Sequence, residues 1–318
     1  MQHRVAVVQT EPGWQLDGAS LTQRIVELVR PAVEGGAELV ALSALLGWAT
    51  AGPRLGQSAD APYGLEALHG VDLSSLEAIR ALQQASEEAA SAYREAARIL
   101  GVWLVGGSMP QVGEGDRLYN AAPVVSPEGE IKGWQQQAHL SLAERAWGLC
   151  RGEELSVIET PVGRLGLLLR EDVLYPEVGR FLCLLGTNVL VHQGSWRRAG
   201  QVLIHNNYGE NQNLSTSQAE WMSRLWREVQ ANQVFGLESV LAGGGYRGRA
   251  TIHAPLEMTL ERNGILAQAR GDIAEEVIVA ELDLQALQAV INHYPIYEML
   301  NEGMYRRYFP SLYERARE

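Results

Sequence analysis

The chain has 318 residues, of which 46% are hydrophobic and 20% are charged, a composition typical of an ordinary folded protein with enough apolar material for a large core. Its formal net charge of −12 argues against a nucleic-acid-binding or anionic-membrane-binding surface, because such surfaces need clustered lysine and arginine. The expected partners are therefore small molecules or proteins.

The cysteines and the N-terminus bear on the cellular compartment. The two cysteines, Cys150 and Cys183, form no CxxC pattern and no disulfide framework. The N-terminus has no signal-peptide h-region, and no apolar run approaches the roughly 18 residues that a membrane span needs. We therefore expect a cytoplasmic protein that is neither exported nor inserted in a membrane.

The chain opens with a predicted β-α-β unit. Apolar runs at 5–8 and 38–42 are typical of buried strands, and residues 21–33 between them have helical periodicity. An Ala- and Glu-rich helix is predicted at 75–100, opened by serines and ended by Gly101, after which VWLVGGS resumes as a strand. This alternation is typical of an α/β protein.

A predicted hairpin interrupts the alternation. Runs at 121–126 and 130–134 flank the turn sequence PEGE, so the sheet is expected to be mixed. No internal repeat or linker divides the chain, and residues 1–318 are expected to form one domain. Two polar, turn-rich stretches at 51–73 and 201–218 are typical of loops, either lids or plain surface excursions. Further predicted elements are strands at 155–159, 164–169, 188–192, 240–243, 250–254 and 276–282, and helices at 176–185 and 219–235.

Residue patterns alone give little support for metal or cofactor chemistry. The seven histidines are scattered without HxH or HExxH spacing, so we predict neither a metal nor a cofactor. Ser195 in HQGSW does not match GxSxG, and no sequence partner marks it as a nucleophile. Cys183 lies in an apolar helical run and is expected in the core. Cys150 lies in a loop beside Arg151, where an ordinary loop cysteine is favoured over the alternative of an activated thiol.

One stretch, GRLGLLLREDVLYPE at 163–177, is an apolar run that ends abruptly in three charged residues. A buried strand with charges at its C-terminal end usually delivers them to a site. Together with other stretches, it resembles the nitrilase superfamily of carbon-nitrogen hydrolases in order and spacing, from residue 5 to about 308. The resemblance implies an α/β fold of the four-layer α-β-β-α sandwich type. The other stretches are HRVAVVQTEPG, REAARILGVWLVGGSM, LYNAAPVVSPEGEIKGW and REVQANQVF.

The resemblance also implies where catalytic residues should stand. Members of the superfamily are similar in using a Glu-Lys-Cys triad, in which the glutamate is a general base, the lysine stabilises the tetrahedral intermediate and the cysteine attacks. Motif spacing places Ala44, Gln137 and Arg170 at these positions. Alanine carries no proton, glutamine brings no charge, and a guanidinium is never a nucleophile at accessible pH. We therefore expect a pseudoenzyme that acts as a binding, scaffold or regulatory protein.

Four charged residues are expected to line the former catalytic pocket: Glu144, which matches a second glutamate of the family, and Arg170, Glu171 and Asp172. We expect an ion pair between Arg170 and Glu144, since a buried guanidinium without a partner is costly. This pair either plugs the pocket or re-charges it for a small carboxylate or amide ligand. The alternative function is a hydrolase or amidase in which these four residues activate water.

Family members are similar in dimerising through helices near YPE and ANQVF, with a C-terminal segment that reaches across the interface. Residues 295–318 have the aromatic content that such an arm needs, so we expect a homodimer with this arm in the contact. A tail that packs on its own chain is the alternative.

Overall fold

The computed structural model of the protein describes residues 2–57, 68, 70–73, 75–195, 224–246 and 248–315. The predicted loop at 201–218 and the start of the predicted helix at 219–235 lie outside these residues. The predicted loop at 51–73 is described only in part, and its beginning differs from the prediction because Ala51–Arg54 forms a short helix.

One mixed sheet forms the centre of the fold, with neighbours in the order β4-β5-β3-β2-β1-β10-β9-β8-β7. The six strands from β3 to β8 in this path are parallel to one another, and the hairpin of β5 and β6 is antiparallel, as the turn sequence PEGE predicts. The strands are β1 (Gln2–Thr10), β2 (Leu39–Ala41), β3 (Trp103–Val105), β4 (Met109–Val112), β5 (Leu118–Val125), β6 (Ile131–Gln136), β7 (Val157–Thr160), β8 (Gly163–Leu169), β9 (Val189–Gly194), β10 (Phe235–Leu241), β11 (Thr251–His253), β12 (Ile265–Gln268) and β13 (Glu276–Asp283).

Local sequence explains where several helices begin and end. Ser75 accepts the backbone N–H of Ala78 at 3.1 Å and opens the long helix, which Gly101 ends in the left-handed conformation at φ 65°. Pro176 begins the helix after β8, where its missing N–H costs nothing. The helices are α1 (Gly18–Glu34), α2 (Ala51–Arg54), α3 (Leu76–Leu100), α4 (Leu142–Ala146), α5 (Pro176–Leu184), α6 (Arg224–Asn232), α7 (Leu284–His293) and α8 (Glu302–Arg315).

The side chains of β1 show why the fold has four layers. Val5 and Val7 pack in a core cluster with apolar residues of β8 and β9, between the two halves of the curled sheet. Ala6 and Val8, on the opposite face, pack against α1 and α3. A further cluster packs Leu168 of β8 against α5 and α6. The order is therefore helices, sheet, sheet, helices, and the predicted α-β-β-α architecture is confirmed.

The structure corrects some predicted boundaries. The helix predicted to run to 235 ends at Asn232, because Gln233 takes a left-handed φ of 51°, and a strand predicted at 240–243 begins at Phe235 instead. The strand is therefore longer than predicted, with seven residues, and starts five residues earlier. In the described part of the chain, no helix combines the length and the apolar character needed to cross a bilayer.

Candidate functional site

The site lies where β8 ends. The strand stops at Leu169, Arg170 follows with a left-handed φ of 49°, and a 3-10 turn (Arg170–Leu174) leads into α5. Positive φ is uncommon for a residue with a side chain, and such backbone conformations concentrate at functional positions. Because parallel strands place their carboxyl ends at one edge, the end of β9, which pairs with β8, lies alongside this turn.

Arg170 is held by two carboxylates and a hydroxyl. Its Nε lies 2.8 Å from Oε1 of Glu144 and 3.3 Å from Oε2 of Glu171, and its Nη1 donates to Oγ of Ser195. The N–H direction is poorly aligned with Glu144, so the closest contact is an ion pair rather than a well-formed hydrogen bond. Arg170 is largely buried and Glu144 is fully buried. The predicted Arg170–Glu144 ion pair is therefore present.

Glu144 is placed by the start of α4. Ser141 caps this helix by accepting the Glu144 N–H at 3.2 Å, and Oε2 of Glu144 accepts the Ser141 N–H at 2.6 Å. This reciprocal capping box fixes the carboxylate at the helix N-terminus, where negative charge is stabilised. Glu144 therefore both caps α4 and forms the ion pair with Arg170.

Gln137 connects both glutamates to the sheet. Its Nε2 lies within 3.3 Å of both Glu144 oxygens, 3.1 Å from Oε2 of Glu171 and 2.7 Å from the His139 carbonyl oxygen. Its Oε1 accepts from Asn120 Nδ2 at 2.8 Å, and Asn120 in turn accepts from the Trp48 indole. Two amide hydrogens therefore serve four acceptors, and they stabilise negative charge where the family resemblance implies a lysine.

Burial and the neighbouring charges shift the pKa of Glu171. Burial raises the pKa of this carboxyl, Arg170 lowers it, and the charge of Glu144 raises it again, so that the pKa lies above its ordinary value. Two carboxylates share one guanidinium and one amide group. Protonation of Glu171 would leave one carboxylate facing the guanidinium.

Asp172 organises the backbone rather than the pocket interior. It is buried and accepts the N–H groups of His139 at 2.7 Å, Ala138 at 3.1 Å and Leu169 at 3.1 Å. It thereby joins the loop that carries Gln137 to the end of β8. The His139 ring stacks on Tyr175 with centroids 3.7 Å apart, and its Nδ1 lies 3.2 Å from Asp172.

Side chains of the central strands support the floor of the site. Nε2 of Gln193, on β9, donates to the carbonyl oxygens of Leu42 at 3.0 Å and of Gly106 at 2.7 Å. Ser239, on β10, donates to the same Leu42 oxygen at 3.0 Å. These bonds connect the carboxyl ends of β9 and β10 to backbone oxygens just beyond the ends of β2 and β3.

The remaining predicted position, Ala44, and both cysteines have surroundings of their own. Ala44 is fully buried in an apolar cluster with Trp48 and neighbouring side chains. Cys150 is partly exposed and interacts with Arg117, whose pKa it raises through a hydrogen bond. Cys183 belongs to the core cluster under α5, as expected, and burial raises its pKa to about 12.

The sequence did not identify Ser195 or the side chains behind Arg170. Ser195 was set aside for lack of a partner, and the structure supplies one in Arg170. Behind the turn, His192 and Glu238 form a buried pair on neighbouring strands. The available signal was a His and a Glu inside the otherwise apolar runs NVLVHQG and FGLESVL. Within the described ranges, no group of His, Cys, Asp or Glu side chains is arranged to hold a metal ion.

Comparisons with known proteins agree with this architecture. The family model described as carbon-nitrogen hydrolase matches residues 4–292. The chain is similar to "Omega-amidase NIT2" of Danio rerio, at 24% identity over 69% of this chain and 74% of the relative, and to "Omega-amidase NIT2" of Xenopus tropicalis, at 22% identity over 89% and 90%.

Solved structures resemble the whole fold. A carbon-nitrogen hydrolase from Helicobacter pylori G27 superposes with a TM-score of 0.73 at 19% identity, covering 96% of this chain and 97% of that one. The C. elegans NitFhit protein gives a TM-score of 0.69 at 19% identity, covering 96% of this chain and 66% of that one. At such identities the structures establish the fold alone, whereas the family model spans most of the sequence. The chain therefore belongs to the carbon-nitrogen hydrolase family.

Proposed function

We propose that this protein retains the family pocket as a binding site for a small amide or carboxylate and does not hydrolyse its ligand through a thiol. The observation that carries the proposal is Arg170, which occupies the strained turn after β8 and is paired with Glu144 at 2.8 Å. In this interpretation the chain is a pseudoenzyme of the nitrilase fold with a binding or regulatory role.

The chemistry of three side chains supports the loss of thiol hydrolysis. The residue at the turn is a guanidinium, which cannot attack a carbonyl or nitrile carbon. Gln137 donates hydrogen bonds but brings no fixed cation, and Ala44 offers no base. Because residues of a triad act as a unit, replacement of all three leaves no basis for the family reaction.

The polar groups at the turn support a small amide or carboxylate as the ligand. A guanidinium and a hydroxyl, from Arg170 and Ser195, are donors that suit a carboxylate or amide oxygen. Glu171, with its raised pKa, can donate as a neutral acid or accept as a carboxylate. The relatives named omega-amidases belong to a class that acts on amides, which fits the same ligand chemistry.

The test combines binding with turnover. Purified protein is screened by calorimetry against short dicarboxylates, their monoamides and simple nitriles, and ammonia release is measured on the same compounds. We expect binding without ammonia release, and Arg170→Met should abolish the binding. Glu159→Gln, an exposed carboxylate on β7, is the matched control and should bind as the wild type does. Ammonia release by the wild type would contradict the proposal.

A second candidate is an amidase or related hydrolase in which side chains of the pocket activate water in place of a thiol. The comparisons favour this candidate over the inactive interpretation, because the relatives are named as enzymes. One observation in the site favours it too: Glu144 and Glu171 both lie within 3.3 Å of Arg170 Nε. A carboxylate could activate water while the neutral acid protonates a leaving nitrogen. Here Glu144→Gln and Glu171→Gln should each abolish ammonia release, whereas Glu159→Gln should not.

We also propose a homodimer formed through α5 and the C-terminal segment. Phe181 and Leu184 on α5 are about half exposed, and a groove of about 1240 Å³ separates this helix from Tyr305 on α8. Exposed apolar side chains beside such a groove support a protein interface. Phe181→Glu should give a monomer by light scattering. Ile99→Glu, an equally exposed apolar residue on α3, should leave the dimer intact.

The thiols support a further expectation about location. Both Cys150 and Cys183 are free, and neither has a cysteine partner. Free thiols fit a reducing compartment, so we propose that the protein is cytoplasmic. Localisation of a fluorescent fusion to an oxidising compartment would contradict this.

A further inference from the structure

Three titratable side chains are buried together on the side of the Arg170 turn that faces the sheet. Glu238, on β10, lies between two histidines: His192 Nδ1 is 3.2 Å from its Oε1, and His253 Nε2 is 3.2 Å from its Oε2. Both imidazoles are fully buried, and Glu238 is nearly so. The other nitrogen of His192, Nε2, is 3.2 Å from the carbonyl oxygen of Arg170.

The two histidines differ in the number of ring N–H hydrogens that their contacts need. Both nitrogens of His192 face acceptors, a carboxylate and a backbone carbonyl, so the two contacts together need two hydrogens. The contact of His253 with Glu238 needs only its Nε2–H, which the neutral ring supplies. A neutral His192 could make both of its contacts only if Glu238 carried a proton. One proton beyond the neutral histidines is therefore stored here.

The surroundings of Glu238 favour the carboxylate form. Burial raises the pKa of this group, but hydrogen bonds from His192 and His253 and the charges of these rings outweigh burial, so the pKa is lowered. One further charge bears on the cluster: Arg224, on α6, interacts with Glu238 and also with Glu171. An anionic Glu238 leaves the stored proton on His192.

The Arg170 carbonyl is the group that connects this proton to the pocket. Arg170 holds a left-handed φ of 49°, a conformation that persists only where surrounding contacts enforce it. A charged donor makes a stronger hydrogen bond than a neutral one. We propose that His192 is a buried imidazolium and a positioning residue, whose Nε2–H holds the Arg170 turn and thereby the orientation of the guanidinium in the pocket.

The protonation state is measured on the wild-type protein, by NMR of histidine labelled with ¹⁵N in the ring. At neutral pH the two ring nitrogens of His192 should both be protonated, and the signals are assigned with the variants His192→Gln and His253→Gln. A spectrum in which His192 has one unprotonated nitrogen at neutral pH would overturn the proposal. Because this measurement needs no ligand, it stands or fails independently of what the pocket binds.

The positioning role is measured by amide hydrogen exchange in the turn Arg170–Leu174. We expect His192→Gln to speed exchange there about tenfold or more, because a hydrogen bond from a charged donor is lost. His253→Gln is the matched control: it also contacts Glu238 but not Arg170, and should leave exchange in the turn within about twofold.

The pH dependence of exchange distinguishes positioning by a charged His192 from a merely structural role of its side chain. The difference in exchange between His192→Gln and the wild type should shrink at alkaline pH, once the wild type has lost the proton. A difference that is constant across pH, or equal effects of the two histidine variants, would refute the positioning role. If His192→Gln does not fold, amide exchange in the turn is measured in the wild type alone across pH. Exchange that stays unchanged while His192 loses its proton would also refute the positioning role.

Discussion

The coupling free energy between Arg170 and Glu144 should exceed that of an exposed ion pair with the same N–O distance. The perturbation is a double-mutant cycle with Glu144→Gln, Arg170→Met and the double variant. Glu144→Gln removes the anion but keeps the size of the side chain, and Arg170→Met removes the cation but keeps an unbranched apolar stem. Both charges sit in a largely buried setting, so removing one leaves the other poorly compensated.

The magnitude follows from burial and from the remaining partners. Breaking a fully buried ion pair costs about 3–5 kcal/mol, because the leftover charge is unpaired. Here Glu171 stays 3.3 Å from the guanidinium after Glu144→Gln, so the cost should fall to about 2–3 kcal/mol. Because the two changes remove one shared interaction, the double variant should be less destabilised than the sum, with a coupling free energy of about 1–3 kcal/mol.

An exposed ion pair of this chain supplies the control. Arg4 Nη2 lies 2.8 Å from Glu281 Oε1, the same N–O distance as in the buried pair, but these side chains are 44% and 52% exposed. The cycle of Arg4→Met and Glu281→Gln should give a coupling of at most about 1 kcal/mol. Both cycles are measured by urea denaturation at one protein concentration, since self-association would otherwise shift the apparent stability.

Equal couplings in the two cycles would refute the reasoning. They would mean that burial adds nothing to the interaction, and that Arg170 is neutralised mainly by Glu171. A double variant that loses the full sum of the single losses would lead to the same conclusion. Repeating both cycles at high salt adds a second criterion, because salt screens the exposed pair more than the buried one.

Three other perturbations test the site. The raised pKa of Glu171 means that the folded state binds this proton more tightly than the unfolded state, so stability should fall as pH rises above the ordinary carboxyl value of 4.5. Glu171→Gln should flatten that fall in urea midpoints measured to about pH 8. Identical pH profiles of the variant and the wild type would contradict this prediction. Asp172 accepts three N–H groups, one of them buried and two partly buried, and Asp172→Asn leaves at least one without an acceptor. It should lower the free energy of unfolding by about 1–3 kcal/mol, whereas the exposed Asp116→Asn should be nearly neutral. A Cβ on Gly107 would lie 2.4 Å from a backbone carbonyl oxygen, so Gly107→Ala should cost about 1–3 kcal/mol in the same assay, while Gly271→Ala, with nothing within 4 Å, should cost little.

The sequence predicted the layered fold well because its signals are local or come from ordered motifs. The continuous buried run of β1 and the capped ends of α3 follow directly from the residue pattern. The strand β12 was missed, because its four residues are only half buried on both faces and show no clear alternation. The early end of α6 depends on a left-handed Gln233, a residue type with no special preference for that conformation.

Prediction of the site was uneven for a similar physical reason. Arg170 and Glu144 could be brought together because each lies in a recognisable motif. The pair of His192 and Glu238 arises only from the register of two parallel strands, in which these residues stand opposite each other. Such a register depends on packing of the whole sheet, so residues 46 positions apart give no local sign of contact.

The bonds from Gln193 to Leu42 and Gly106 have a wider consequence. They hold the strand ends in place with a side chain that stands at none of the three catalytic positions implied by the family resemblance. The scaffold and the reactive groups are thus separable parts of one molecule. A substitution at the Arg170 turn changes what the turn presents, while the strand ends beneath it keep their own supports. A fold built in this way can change its chemistry over evolutionary time without first becoming unstable.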